Sequence, residues 1–301
     1  MGTVIAIANQ KGGVGKTLTT TCLASAFTKK KLKVLTISLD PQRNFDMVAG
    51  KGIGIQRNDT QSLSILHALH GTHTLDDVIV HTELLGDLAR ASSQLYQFTG
   101  EQTISPDEFE ALRDSHDALV QVLESRLKSG ATNIKVLDSL IKTVKDRYDY
   151  ILIDTNPSLT LLTLNSIYAA DYIIIPAFSE RQSSEAIVEL YDTVRSITYF
   201  NPDTNVKILG ILMTRCNVRT LAFARHAKMF NALAEKMGTR LFNTKIRASA
   251  RASDYVDVGM DLINYDPHGK TTEDYLNFSE ELLQVLKEEE VPNVTSKAQR
   301  H

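Results

Sequence analysis

Three glycines, two lysines and a threonine near the start of the chain form its densest group of residues that could do chemistry. They lie in the octapeptide Gln10-Lys11-Gly12-Gly13-Val14-Gly15-Lys16-Thr17. Glycines let the backbone turn sharply and approach a ligand closely, so that several N–H groups can point at one phosphate. Lys16 would place its ammonium group against the β- and γ-phosphates of a nucleotide, and the hydroxyl of Thr17 would face Mg²⁺. The octapeptide therefore predicts a nucleotide-binding loop.

The segments on either side of the octapeptide can position such a loop. Residues 3–9 are apolar and rich in β-branched side chains, which is typical of a buried strand, and residues 18–27 have the spacing of a helix. This order of strand, glycine loop and helix is the one that phosphate binding requires. We expect the nucleotide to contact Lys11, Gly12, Gly13, Val14, Gly15, Lys16, Thr17 and Leu18.

Two carboxylates follow further apolar segments. Asp40 comes directly after the strand predicted over residues 33–39, and Asp154 ends the apolar run Tyr150-Ile151-Leu152-Ile153. Reactive groups of an open parallel sheet lie at the carboxyl ends of its strands, so Asp40 is a catalytic candidate beside the phosphate-binding Lys16. Oxygen ligands suit Mg²⁺, and we expect Thr17, Asp40 and Asp154 to hold it.

The glycine loop resembles the deviant Walker A motif, K-G-G-x-G-K-T, of the ParA/MinD family of ATPases. Asp40-Pro41-Gln42-Arg43-Asn44 resembles the family's switch I, with Arg43 in place of a glycine and Ser38 in place of a first aspartate. The strand that ends in Asp154 resembles the family's Walker B segment, with Asn156 in place of a proline. The resemblance implies a doubly wound α/β fold, a mostly parallel sheet flanked by helices, and hydrolysis of ATP with Mg²⁺.

The same resemblance implies particular roles. Lys11 would reach across a homodimer that forms on ATP to the phosphates bound by the other subunit, and would thereby join Lys16 and Asp40 as a catalytic residue. Asp40 would act on the attacking water or on the Mg²⁺ shell. The residues themselves, and not the resemblance, make Asn217 and Arg215 candidates for the adenine side of the nucleotide. A side-chain amide at the end of a late strand, here the one predicted over residues 207–213, commonly meets the base edge, although an ordinary loop is the alternative.

The domain organisation is predicted to be simple. We expect a single ATPase domain over residues 1–287, interrupted by a helical insertion over about residues 98–130. The residues from 288 to 301 include Glu288-Glu289-Glu290 and a polar end, which predicts a disordered tail.

Charge is unevenly distributed along the chain, whose formal net charge is −3. The segment from Lys207 to Arg251 contains ten basic residues and a single acidic one, Glu235. Such asymmetry is typical of a phosphate-backbone contact, although a solvated basic face is the alternative. The resemblance favours nonspecific DNA of the nucleoid as the ligand, and a centromere-binding ParB-type protein as the partner that stimulates hydrolysis. The candidate DNA-binding residues are Arg219, Arg225, Lys228, Lys245, Arg247 and Arg251.

Several other functions are disfavoured. Cys22 and Cys216 are the only cysteines and lie far apart, so an iron–sulfur carrier with paired cysteines is not expected. No signal segment or membrane span is apparent, which predicts a cytoplasmic protein without membrane contact. A MinD-like membrane-associated regulator of division-site or cargo positioning is the alternative; it needs a basic amphipathic helix at the end of the chain, which here is acidic.

Overall fold

The strands of the computed structural model form one sheet at whose edge the predicted site residues meet. The model describes residues 2–49, 62–95, 98, 133–180 and 182–297. In this part of the chain the strand order is β3-β4-β2-β5-β1-β6-β7. The strands are β1 (Thr3–Ile7), β2 (Val34–Ser38), β3 (Ile79–Thr82), β4 (Gly86–Ala89), β5 (Tyr150–Asp154), β6 (Tyr172–Phe178) and β7 (Lys207–Thr214). Every neighbouring pair is parallel except β3 and β4, which confirms the predicted mostly parallel sheet.

Helices connect the strands and cover both faces of the sheet. They are α1 (Lys16–Lys29), α2 (Asn44–Ala49), α3 (Ile65–Leu69), α4 (Leu75–Val78), α5 (Val136–Lys142), α6 (Leu161–Ala169), α7 (Gln182–Phe200), α8 (Leu221–Lys236), α9 (Arg251–Val258), α10 (Leu262–Tyr265) and α11 (Lys270–Lys297). A single 3₁₀ turn, Lys145–Arg147, precedes β5 in the described chain.

The core consists of two apolar layers because successive residues of a strand face opposite sides of the sheet. Val4 and Ala6 of β1 belong to the layer that also contains α6 and α7. Ile5 and Ile7 belong to the layer that contains α1 and α11. This arrangement buries the central strands on both faces, as parallel sheets require, and leaves their carboxyl ends to form the site.

One segment differs from the prediction. The apolar residues from Ser62 to Val80 recur with the spacing of a helix, which predicts one helix, but the structure has two short helices, α3 and α4, followed by the strand β3. The break lies at Gly71, whose φ of 71° a helix cannot accommodate. β3 then pairs antiparallel with β4 at the edge of the sheet, where Ile79 lies opposite Ala89.

The predicted domain limits are only partly within the described chain. The helical insertion over about residues 98–130 lies outside it, apart from Phe98. A disordered tail is predicted from residue 288, and within the described residues α11 continues to Lys297. Glu288 and Glu289 in this stretch form ion pairs with Arg240, and these contacts stabilise the helix beyond the expected boundary. None of the described helices has the length and apolarity needed to cross a membrane.

Candidate nucleotide-binding site

The loop between β1 and α1 has the backbone shape that its glycines allow. Gly13 has a φ of 74° and Gly15 a φ of 89°, both in the left-handed region that strains other residues. The hydroxyl of Thr214, the last residue of β7, donates a hydrogen bond of 2.9 Å to the carbonyl oxygen of Val14. The loop is therefore fixed at the carboxyl edge of the sheet.

Lys16 is the buried lysine of this loop. It begins α1 and is only 7% exposed. Its Nζ donates to the carbonyl oxygens of Asn9 and Lys11, both at 3.0 Å. Burial lowers the pKa of Lys16 to about 8, whereas the nearby carboxylates of Asp154 and Asp40 act in the opposite direction. The ammonium group can exchange its two carbonyl contacts for the phosphate oxygens of a nucleotide.

Asp154 has the features of a ligand to a divalent cation. Its side chain is fully buried, and its Oδ2 has no hydrogen-bond partner among the described residues. Burial, followed by the proximity of Asp40, raises the pKa of Asp154 to about 7, and the hydroxyls of Thr17 and Thr20 counteract the shift. An unsatisfied buried carboxylate oxygen is costly, and a hard cation such as Mg²⁺ would compensate it. These residues therefore fit the ion.

Asp40 lies beside Asp154 because β2 and β5 are neighbours in the sheet. Ser38, the last residue of β2, pairs with Asp154 in the parallel register. The Oδ1 of Asp40 accepts a hydrogen bond of 2.9 Å from the N–H of Gln42. Burial raises the pKa of Asp40, while this N–H and Lys16 lower it. The two carboxylates and the lysine thus form one electrostatic group at the end of two strands.

A cavity of about 610 Å³ extends from the glycine loop and has the size of a ligand site. The predicted residues that line its phosphate end are Gly13, Gly15, Lys16, Thr17, Leu18 and Asp40. Residues 246–250, 252 and 253 line the other end. Gly12 and Val14 belong to the same loop but do not line the cavity.

The two residues predicted for the adenine side differ in position. Arg215 lines the cavity, and its guanidinium lies 4.9 Å from the centre of the Phe178 ring. Asn217 is not among the lining residues, and its carbonyl oxygen accepts the N–H of Thr220 at the start of α8. Arg215 therefore lies at the cavity and Asn217 does not line it, and the adenine-side role of both residues stays a prediction.

Sequence reasoning did not identify the tyrosines of this cavity. Tyr255 of α9 and Tyr275 of α11 both line it, together with Thr271. The hydroxyl groups of Tyr275 and Thr19 are 3.2 Å apart, so the closing helix contacts the helix that follows the glycine loop. Only the distance along the chain concealed this contact, because no local pattern relates position 275 to position 19.

Lys11 does not point into this chain's own cavity. Its Nζ is ion-paired with the carboxylate of Glu180, which follows β6, and lies 3.3 Å from Oε1 of Gln182. Its side chain is 25% exposed. The extra lysine of the motif is therefore held within its own chain by the segment that leads into α7.

The basic segment from Lys207 to Arg251 is partly neutralised in three dimensions. Carboxylates of the chain's last part pair with some of its cations: Lys207 with Glu289, Arg240 with Glu288 and Glu289, Arg247 with Glu273 and Asp274, and Arg251 with Asp266. Lys245 donates to the carbonyls of Phe242 and Asn243. Of the candidate DNA-binding residues, these contacts leave Arg219, Arg225 and Lys228 as the exposed cations for which the described chain shows no ion pair. Arg219 lies just before α8, and Arg225 and Lys228 lie in its first half.

A larger cleft, of about 1480 Å³, lies at the amino ends of β6 and β7. Tyr172, Tyr199 and Lys207 are among the residues that line it. It contains neither the glycine loop nor the two carboxylates, so its volume alone does not make it the nucleotide site.

Comparisons with known proteins agree with this geometry. An AAA domain family model matches residues 2–208. A ParA family protein of Chlamydia pneumoniae is 30% identical over 94% of this chain and 98% of its own length. The chromosome partitioning protein ParA of Myxococcus xanthus is 29% identical over 94% of this chain and 88% of its own. The structure of cobyrinic acid a,c-diamide synthase from Mycobacterium smegmatis with bound ADP and magnesium has the same fold, with a TM-score of 0.69, 23% identity, and coverage of 95% of this chain and 96% of that one. This chain belongs to the ParA family of ATPases.

Proposed function

We propose that the chain is a DNA-partition ATPase. It binds ATP with Mg²⁺, dimerises on ATP, binds nucleoid DNA without sequence preference, and hydrolyses ATP when a centromere-binding ParB-type protein stimulates it. The single observation that carries the proposal is the cavity in which the glycine loop, Lys16 and Asp40 meet beside the buried carboxylate of Asp154. The relative that is named a chromosome partitioning protein supports the partition role.

The chemistry of hydrolysis requires mainly positioning and neutralisation of charge. Lys16 neutralises the β- and γ-phosphates, with help from the N–H groups of the glycine loop. Asp40 orients the attacking water, and its raised pKa makes it a better proton acceptor than an exposed aspartate. Thr17 and Asp154 would hold Mg²⁺, with Asp40 contributing only to its water shell, and the ion would supply further positive charge to the phosphates.

In the proposed dimer, Lys11 contacts the nucleotide bound by the other subunit. In the second subunit's site this lysine supplies an additional cation to the triphosphate, and to reach it Lys11 leaves Glu180. ADP lacks the γ-phosphate, so it offers less compensation for the broken ion pair. ATP therefore favours the dimer and hydrolysis favours its separation.

The DNA contact is proposed for the exposed cations just before α8 and in its first half. Arg219, Arg225 and Lys228 lie within ten residues of one another, and Arg215 between β7 and this helix lines the nucleotide cavity. A side chain without an ion pair can neutralise a DNA phosphate directly, and the counterion bound there is released. A side chain that is paired with a carboxylate must first break that ion pair. Lys245, Arg247 and Arg251 accordingly contribute less than their charges suggest.

Retention on nonspecific DNA tests this function directly. The purified chain is passed over immobilised duplex DNA without nucleotide, with ADP and with ATP and Mg²⁺, across a series of salt concentrations. We expect retention with ATP only, weakening steeply with salt, and no retention of Lys16→Ala. Equal retention with and without ATP contradicts the DNA role. Anionic vesicles serve as a second surface, and ATP-dependent binding to them instead of DNA would favour the MinD-like alternative.

A further inference from the structure

Arg43 occupies an unusual position in the loop that carries Asp40. It is 2% exposed and is the largest of the fully buried side chains in the described chain. Its φ of 57° lies in the left-handed region, which favours glycine, and the switch I pattern that this segment resembles has glycine here. A large charged residue is therefore kept at a position where the backbone alone favours the smallest one.

The side chain of Arg43 is engaged in a buried ion pair. Its Nε lies 3.2 Å from Oδ2 of Asp46, which is itself fully buried. The Oδ1 of Asp46 accepts a hydrogen bond of 3.3 Å from the N–H of Ala91, just beyond β4. The pair thus connects the switch loop to the neighbouring strand of the sheet.

The backbone of Arg43 closes the turn that presents Asp40. Its N–H donates to the carbonyl oxygen of Asp40 at 2.9 Å, and its own carbonyl accepts the N–H of Met47 at 3.0 Å. Asp40 and Asn44 line the nucleotide cavity, whereas Arg43 between them does not. Arg43 therefore influences the site through the position of its neighbours and not by touching the nucleotide.

We propose that Arg43 is a positioning residue for ATP hydrolysis. The buried Arg43–Asp46 pair anchors the turn from Asp40 to Arg43 against the sheet and holds the carboxylate of Asp40 beside Lys16 before nucleotide binds. Where a glycine stands at this position, only backbone contacts could hold the turn. The inference depends on the proposed role of Asp40 in hydrolysis, and it is independent of DNA binding and of the partner.

The test separates anchoring from general stability. Arg43→Met alone leaves the carboxylate of Asp46 buried without its partner, which destabilises a fold. Arg43→Met with Asp46→Asn removes both charges, and the asparagine can still accept the N–H of Ala91. Arg43→Lys keeps a cation. The control is Arg195→Met, which replaces an exposed arginine of α7. For each variant the turnover number, the dissociation constant for ATP with Mg²⁺ and the unfolding midpoint are measured, with hydrogen exchange of the amides of Gln42 and Arg43.

The double variant gives the decisive result. We expect its unfolding midpoint and its ATP affinity to remain close to those of the wild type. Its turnover number should fall at least about tenfold, because displacing a catalytic group lowers the rate of the chemical step more than the affinity for the nucleotide. Hydrogen exchange at the amide of Arg43 should accelerate. Arg43→Lys is expected to recover part of the turnover. Wild-type turnover or unchanged exchange in the double variant overturns the proposal, as does a loss of turnover only in proportion to stability. Asp40→Ala is measured in parallel: wild-type turnover there removes the role of Asp40 itself, whereas an inactive Asp40→Ala beside a fully active double variant rejects Arg43 alone.

Discussion

The side chain of Lys11 is ion-paired with Glu180 of the same chain, about 170 residues further along the sequence. Lys11 belongs to the glycine loop, and Glu180 lies in the short connection between β6 and α7. If Lys11 serves the nucleotide of a second subunit, as we propose, it must first leave this carboxylate. The ion pair then opposes dimerisation.

Replacing Glu180 with glutamine is expected to strengthen ATP-dependent self-association. A partly exposed ion pair contributes about 0.5–1 kcal/mol, and a symmetric dimer breaks two of them, so the dimer dissociation constant should fall about five- to thirtyfold. Analytical ultracentrifugation with a nonhydrolysable ATP analogue measures it. Glu185→Gln, an exposed glutamate in the first turn of α7, is the control. Weaker association of Glu180→Gln would mean that Glu180 holds Lys11 in a productive position instead.

Nucleotide affinity is expected to depend on pH through Lys16. The free protein has its Lys16 pKa lowered to about 8, and phosphate favours the protonated form, so binding raises this pKa. Affinity is therefore highest below pH 8 and falls as the pH rises through it, by about tenfold between pH 7 and pH 9. Calorimetric titration with ADP measures the change. Lys16→Arg stays charged throughout, and the same decline in that variant would assign the effect to another group.

Replacing Asp40 and replacing Asp154 are expected to affect ATP hydrolysis in different ways. Asp40→Ala should keep ATP affinity within about threefold and lower turnover at least about tenfold, because the residue acts on the water and not on the bound phosphates. Asp154→Asn should instead raise the Mg²⁺ concentration needed for half-maximal hydrolysis, since the buried anion that the cation neutralises is gone. Magnesium titrations of steady-state hydrolysis distinguish the two. Identical magnesium curves for Asp154→Asn and the wild type would exclude Asp154 from the metal site.

Arg247 is expected to stabilise the fold, and Arg225 is expected to bind DNA. Arg247 donates to both carboxylate oxygens of Asp274, at distances from 2.6 to 3.0 Å, so Arg247→Met should lower the free energy of unfolding by about 1.5–3 kcal/mol. Arg225 is exposed, and Arg225→Met should change the free energy of unfolding by less than about 0.5 kcal/mol.

The same two variants differ in the DNA measurement. Arg225→Met should weaken binding and reduce the slope of log affinity against log salt by about 1, whereas Arg247→Met should leave that slope unchanged. Chemical denaturation and DNA titrations at several salt concentrations measure both quantities. If the slope of log affinity against log salt for Arg225→Met equals that of the wild type, Arg225 does not contact DNA.

Much of the site could be predicted from contiguous residues. The glycine loop needs left-handed backbone at Gly13 and Gly15 and a cation directly after them, and both requirements are met by adjacent positions. Asp40 and Asp154 could be assigned to one edge because each follows a run of apolar residues and parallel strands end together. The buried strands were recognised for the same reason.

The tertiary structure decided which charges are available. The sequence by itself determined that residues 207–251 are basic and that the end of the chain is acidic, but not that α11 brings Asp274 to Arg247 and Glu289 to Arg240. Nor does any local pattern indicate that Arg43 is buried against Asp46 or that Lys11 meets Glu180. Backbone shape and strand burial depend on neighbouring residues, so the sequence reveals them directly. Ion pairing depends on which distant helices pack together, and only the folded chain determines that.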